Sequence, residues 1–253
     1  MATIYNDDWE IKNVKCILFD KDGTLLDGNI FWGSIIIHRA NRIIKTYNIS
    51  QNYFKQLCLT MGYCNQSRKL IPEGPVGIAP RELVIEKVVC FINTLNLKIV
   101  NDEIAKIFNE VHLEMIPLMN SIVKILPGVK ALFKILKKYN IKIAIVTSDT
   151  ELNTKLFLKI NNIFNYVDLI IGRESTIEHK NTGIPAKIAI EKLRLDSNNI
   201  ICIGDAPMDI IMAVNANLLA SIGVLTGQTT KEEMYMHTNY VIQDLVSLQV
   251  RNK

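Results

Sequence analysis

The sequence predicts an α/β fold with a parallel sheet, plus one inserted helical domain. Two observations carry that prediction. Short apolar runs rich in β-branched residues alternate with segments whose apolar residues recur at helical spacing. Between the first and second of those runs lies a long, mainly helical stretch, too large for a simple crossover.

The first run spans 15–20 and ends in Asp20. Further runs follow at 141–147, 166–171, 200–204 and 219–224, and a weaker edge candidate at 240–243. Near-continuous apolarity suits strands covered on both faces. Val129, Leu132, Phe133, Leu136 and Tyr139 form a helical stripe before the second run, and Asn140 is a plausible stop. Leu152, Leu156, Phe157 and Ile160 form another after it. Pro185 opens a helix carrying Ile188 and Leu193, and Pro207 opens one carrying Ile210, Ile211 and Val214. The insert has helical segments starting near Ser34, Pro80 and Asn101, with a Gly/Pro-rich loop at 72–80 between the first two. Pro127-Gly128 marks the return to the core. The expected division is an α/β core of 1–29 and 122–253 and an inserted helical domain of 30–121.

Composition narrows the function. Apolar residues make up 49% of the 253, so a sizeable core is expected and disorder is not. The net charge of +4 is too small and too dispersed to argue for nucleic acid. The five cysteines form no CxxC pair or zinc-type cluster, which suits a reducing compartment. No apolar run approaches the roughly 20 residues that span a bilayer. The N-terminus has acidic residues where a signal peptide needs a basic flank. The expectation is a soluble cytoplasmic protein with no membrane partner.

In doubly wound sheets the ligand site lies beyond the C-terminal ends of the strands. There the first run delivers Asp20, Asp22 and Thr24, the second Thr147, Ser148 and Asp149, and the fourth Asp205 and Asp209. Any one of these could be a helix cap or a turn residue. Groups of one chemical kind after several strands point instead to a shared crevice. Mg²⁺ takes hard oxygen ligands and binds through one or two carboxylates together with substrate phosphate. Asp20, Asp205 and the backbone carbonyl of Asp22 could supply those oxygens. Thr147, backbone N–H groups near Ser148 and a lysine would hold the remaining phosphate oxygens.

The stretch Asp20-Lys21-Asp22-Gly23-Thr24 resembles the first signature of the haloacid dehalogenase superfamily, DxDGT. Thr147-Ser148 is similar to its second, and Gly204-Asp205 with Asp209 to its fourth, GDxxxD. The entry through Pro127-Gly128-Val129 and the segment Ile222-Gly223-Val224-Leu225-Thr226-Gly227 look like those of phosphoglycolate-phosphatase-like members. The resemblance implies a Rossmann-like core with a cap inserted after the first motif. It also implies a magnesium-dependent phosphatase acting on a small phosphorylated metabolite. On that analogy Asp20 is the nucleophile, Asp22 the acid and base, and Thr147 the phosphoryl ligand, with Asp205 and Asp209 supporting the metal. The third motif departs from the common pattern: either Lys180 or Lys187 stands for its lysine. A phosphomutase, which passes the phosphoryl group to a sugar hydroxyl, and a catalytically weak binding or regulatory protein share the same core.

Overall fold

The computed structural model describes residues 2–72, 74–76 and 79–252. The chain divides into two compact units: Met1–Asp27 with Ile125–Lys253, and Gly28–Lys124. The boundaries expected at 29/30 and 121/122 fall beside these. Of the Gly/Pro loop at 72–80, Glu73, Gly77 and Ile78 lie outside the described residues.

The first unit opens with an antiparallel pair, β1 (Ala2–Tyr5) and β2 (Glu10–Val14), followed by the wholly buried β3 (Cys16–Phe19). The second unit is mainly helical: α1 (Gly28–Thr46), α2 (Phe54–Met61), a small hairpin of β4 (Tyr63–Cys64) and β5 (Lys69–Leu70), α3 (Arg81–Asn93), α4 (Asn101–Met115) and the short α5 (Met119–Ile122). Its core forms because α1 turns Ile35, Ile36, Ala40 and Ile43 inward at spacings of three and four, and α4 does so with Ile104, Ile107, Phe108 and Val111. Gly62 ends α2 at φ 99°, a left-handed backbone that glycine reaches without steric cost. The sequence stripes mark α1, α3 and α4; the eight-residue α2 and the hairpin carry patterns too short to stand out.

The first unit resumes with α6 (Val129–Lys138), β6 (Lys142–Val146), α7 (Glu151–Ile160), β7 (Leu169–Ile171) and α8 (Ile184–Leu193). It continues with β8 (Ile200–Gly204), α9 (Pro207–Asn215), β9 (Ala220–Val224), α10 (Lys231–Tyr235), β10 (Val241–Ile242) and β11 (Gln249–Asn252). Six of these strands form one sheet in the order β10-β9-β8-β3-β6-β7, parallel at every pairing. One face packs Cys16, Leu18, Ala144 and Val146 against Ala186 and Ala189 of α8 and Met212 and Ala213 of α9. On β3, Phe19 meets Phe133 of α6 with ring centres 5.3 Å apart. The central strand is therefore apolar on both sides, and Asp20 is the first residue at which it can turn polar.

Two features depart from the sequence reading. The run at 166–171 enters the sheet only from Leu169, after a 3₁₀ turn at Phe164–Tyr166. Asp168 explains the late start: its backbone N–H bonds to the Ile143 carbonyl at 2.8 Å, and its carboxylate accepts from the Ile143 N–H at 2.7 Å and from Lys137 at 2.6 Å. The second is a three-stranded antiparallel sheet, β11-β1-β2, in which Ala2 pairs with Asn252. β11 reads Gln-Val-Arg-Asn, with no apolar run to announce it. Among the described residues no helix is long and apolar enough to cross a membrane.

Candidate active site

β3 lies between β8 and β6, so the loops after these three strands meet at one edge of the sheet. The Asp20 backbone N–H bonds to the Ile203 carbonyl at 2.9 Å, which extends the ladder one residue and locks the start of the loop. Asp20, Asp205 and Asp209 offer carboxylate oxygens that all lie within 4.8 Å of one another. Lys180, in a 3₁₀ turn just before α8, donates from Nζ to Asp20 and, at 2.7 Å, to Asp209. The other Asp209 oxygen accepts from the Ala206 N–H at 3.2 Å and so caps α9. Asp205 accepts from the Thr24 hydroxyl at 3.2 Å.

Glycines make the close approach possible. A Cβ on Gly23, at φ 87°, would sit 2.4 Å from a carboxylate oxygen of Asp205, and one on Gly227 would sit 1.7 Å from it. Thr226 ties the two loops together through a 2.6 Å bond from its hydroxyl to the Gly23 carbonyl. The carboxylate of Asp205 is thus boxed by backbone on two sides.

A family model for haloacid dehalogenase-like hydrolases matches residues 14–217. The chain belongs to this family of hydrolases.

Its relatives carry related names. The chain is 28% identical over 203 residues, 80% of each chain, to a Clostridium perfringens protein provisionally named pyrophosphatase PpaX. It is 28% identical over 199 residues, 78% of each chain, to the phosphoglycolate phosphatase of Aquifex aeolicus. Among solved structures, a predicted phosphoglycolate phosphatase from Haemophilus somnus superposes with a TM-score of 0.72 at 19% identity, covering 92% of this chain and 96% of that one. That likeness shows the shared fold.

Within this hydrolase the sequence-derived candidates fall into place unevenly. Asp20, Asp205, Asp209 and Lys180 converge and are buried. Thr147 is buried just past β6, where its hydroxyl accepts from the Asp149 N–H at 3.1 Å and keeps its own proton to donate. Ser148 is exposed. Asp22 stands apart from the three clustered carboxylates. One oxygen of its side chain accepts from Lys21 at 2.6 Å, and the metal role expected of Asp22 is for its backbone carbonyl. Lys187 sits on the exposed side of α8, whose buried residues are Pro185, Ala186, Ala189 and Leu193. Helical phase turns it outward, whereas Lys180 is the one of the two that meets Asp20 and Asp209.

Lys21 is the residue that motif reading passed over. It is 2% exposed and bridges Asp22 to Asp149 at 3.2 Å, joining the loops after β3 and β6. The variable position of DxDGT carries no pattern of its own. The one available signal was a lysine next to an apolar strand end, a place where an ammonium needs a partner.

Burial pushes Asp20 and Asp22 above the usual carboxylate range, although Lys180 pulls Asp20 back and Lys21 pulls Asp22 back. Asp205 is raised further, by burial first and then by the Asp20 and Asp209 charges. Burial works against the charge on Lys180, but Asp20 and Asp209 outweigh it and hold the ammonium protonated. Three buried carboxylates therefore face one buried ammonium. With all three ionised, the shortfall of two positive charges and the all-oxygen donor set suit a divalent hard cation.

Proposed function

We propose that this hydrolase is a magnesium-dependent phosphatase that cleaves a small phosphate monoester, of phosphoglycolate or sugar-phosphate type, through a phosphoaspartate on Asp20. The observation that carries the reading is the division of carboxylates. Asp20 shares a buried cluster with Asp205, Asp209 and Lys180, while Asp22, two residues on, is held apart by Lys21.

In the first half-reaction a lone pair of Asp20 attacks phosphorus and the bond to the leaving oxygen breaks. Asp22, whose burial favours the protonated acid, gives its proton to that oxygen. In the second half, Asp22 takes a proton from water, the water oxygen attacks phosphorus, and the bond to Asp20 breaks to release inorganic phosphate. Lys180 and the Thr147 hydroxyl hold the phosphoryl oxygens as charge moves onto them. Asp20, Asp205 and the Asp22 carbonyl would hold the magnesium, and Asp209 keeps Lys180 in position. When bound, the cation supplies the positive charge that lets a carboxylate approach a phosphate dianion.

The phosphatase names of relatives matched over about four-fifths of the chain support the same chemistry. The relatives named pyrophosphatase favour inorganic pyrophosphate as a second substrate. The deciding measurement is phosphate release from phosphoglycolate, sugar phosphates and pyrophosphate with magnesium, beside the Asp20→Asn variant. That variant is expected to lose roughly 10⁴-fold or more in kcat. Full activity in it would remove Asp20 from the chemistry, and isomerised sugar phosphate in place of free phosphate would mark a mutase.

A further inference from the structure

The helical unit buries one cation that the chemistry above does not use. Arg39 lies in the apolar stripe of α1, between Ile35 and Ile36 on one side and Ile43 on the other, and is 8% exposed. Its Nε is buried and has no hydrogen-bond partner. No carboxylate among the described residues pairs with it. Glu110 and Glu114 of α4 pair with Arg42, one turn along α1. The guanidinium of Arg39 lies 3.9 Å from the ring centre of Phe108, and that of Arg81 faces the same ring at 5.8 Å. Among the described residues Arg81 donates to neutral oxygens, the Ala105 carbonyl at 3.1 Å and Asn109 Oδ1 at 2.6 Å.

Burying an ion costs several kcal/mol even after relaxation. Stacking on an aromatic face returns about 2 kcal/mol at best. Phe108 alone does not offset Arg39, and a second guanidinium nearby makes the balance worse. Burial, with the Arg81 charge second, lowers the Arg39 pKa to about 9. A planar fork of N–H donors with no carboxylate is the arrangement that a carboxylate or phosphate group completes in two parallel hydrogen bonds.

We propose that Arg39 and Arg81 form an oxyanion-binding site within the helical unit, one that takes a carboxylate or phosphate group on the guanidinium of Arg39. The site belongs to α1, α3 and α4 alone and does not depend on the phosphatase reading of the Asp20 cluster.

The test uses the full chain carrying Asp20→Asn, without divalent metal, and titrates inorganic phosphate and acetate separately. The Nε resonance of Arg39, assigned by its disappearance in Arg39→Lys, reports the site directly, and melting curves are recorded in parallel. A saturable shift of that resonance is expected with at least one probe. Phosphate alone would assign the site to phosphate groups, and acetate alone to carboxylates. Arg81→Met, at an exposed helix start, keeps the fold and weakens binding about tenfold or more. Without oxyanion, Arg39→Met is expected to melt above its parent, because an apolar side chain replaces an unpaired buried charge. An Arg39 resonance that moves with neither probe overturns the proposal. So does a lower melting temperature of Arg39→Met in oxyanion-free buffer, which would reveal an internal counter-ion.

Discussion

The two units bury charge in opposite ways. At the edge of the sheet, Lys180 serves Asp20 and Asp209, and Lys21 serves Asp22 and Asp149, so each buried ammonium has two carboxylates. In the helical unit, Arg39 is buried against an aromatic ring with no carboxylate partner among the described residues. The first arrangement carries excess negative charge and the second excess positive charge. Each excess indicates what the site lacks: a cation in one, an anion in the other. Desolvation penalises each uncompensated charge, so such an imbalance is relieved either by a shift towards the neutral form or by an ion that completes the site.

The most forceful way to break this contrast is to remove the ammonium from the sheet edge. Lys180→Met leaves three buried carboxylates unopposed, and is expected to cost about 3–5 kcal/mol of stability in denaturant titrations without metal. Its kcat should fall by roughly 10²–10³-fold if Lys180 also holds the phosphoryl oxygens. Near-normal values of both would show that Lys180 neither balances charge nor touches substrate.

The next test is pH. Asp20 and Asp205 have folded-state pKa values raised above the ordinary 3.8. Between 3.8 and the raised values the folded chain binds more protons than the unfolded one, so metal-free stability falls as pH rises through that window. Magnesium requires the ionised carboxylates, so its stabilisation grows with pH, reaching about 2.7 kcal/mol at a hundredfold excess over Kd. Melting curves with and without magnesium at several pH values check this. A magnesium increment that is absent, or the same at every pH, would contradict the charge shortfall.

Lys21→Met probes the second pair. Lys21 lowers the pKa of Asp22, so its loss should move the upper limb of the pH–rate profile to higher pH and reduce kcat by about tenfold. A fall in rate with an unmoved profile would leave Lys21 as a purely structural strut between the loops. The smallest effect is expected from Lys187→Ala, within about twofold in kcat/KM, because its side chain is solvated on α8. A large loss there would reverse the choice between the two lysines.

Much of the sheet edge was legible in the sequence because local rules govern it. An apolar β-branched run must be a covered strand, and a carboxylate directly after it must sit at the strand's C-terminal end. That reasoning places Asp20, Thr147 and Asp205 without any knowledge of neighbours. The β11-β1-β2 sheet was not legible, because its pairing joins the two ends of the chain through four-residue strands with little apolar signal. Lys21 and Arg39 were missed for a related reason: a charged side chain in an apolar context reads the same whether it turns out to solvent or inward.

The sequence alone therefore determined the order of the parallel-sheet strands and of the helices between them, the interruption by a mainly helical stretch, and the carboxylates that follow β3 and β8. Periodicity and turn chemistry act over a few residues, so one stretch of chain contains all the information they need. Only the tertiary structure decided that Lys180 and not Lys187 meets Asp20, that Asp22 turns to Lys21, and that Arg39 has no carboxylate partner among the described residues. Lys180 and Asp20 are 160 residues apart. Charge pairing depends on which side chains the fold leaves within a few ångströms in a dry interior, where the Coulomb energy is large and no local pattern records it.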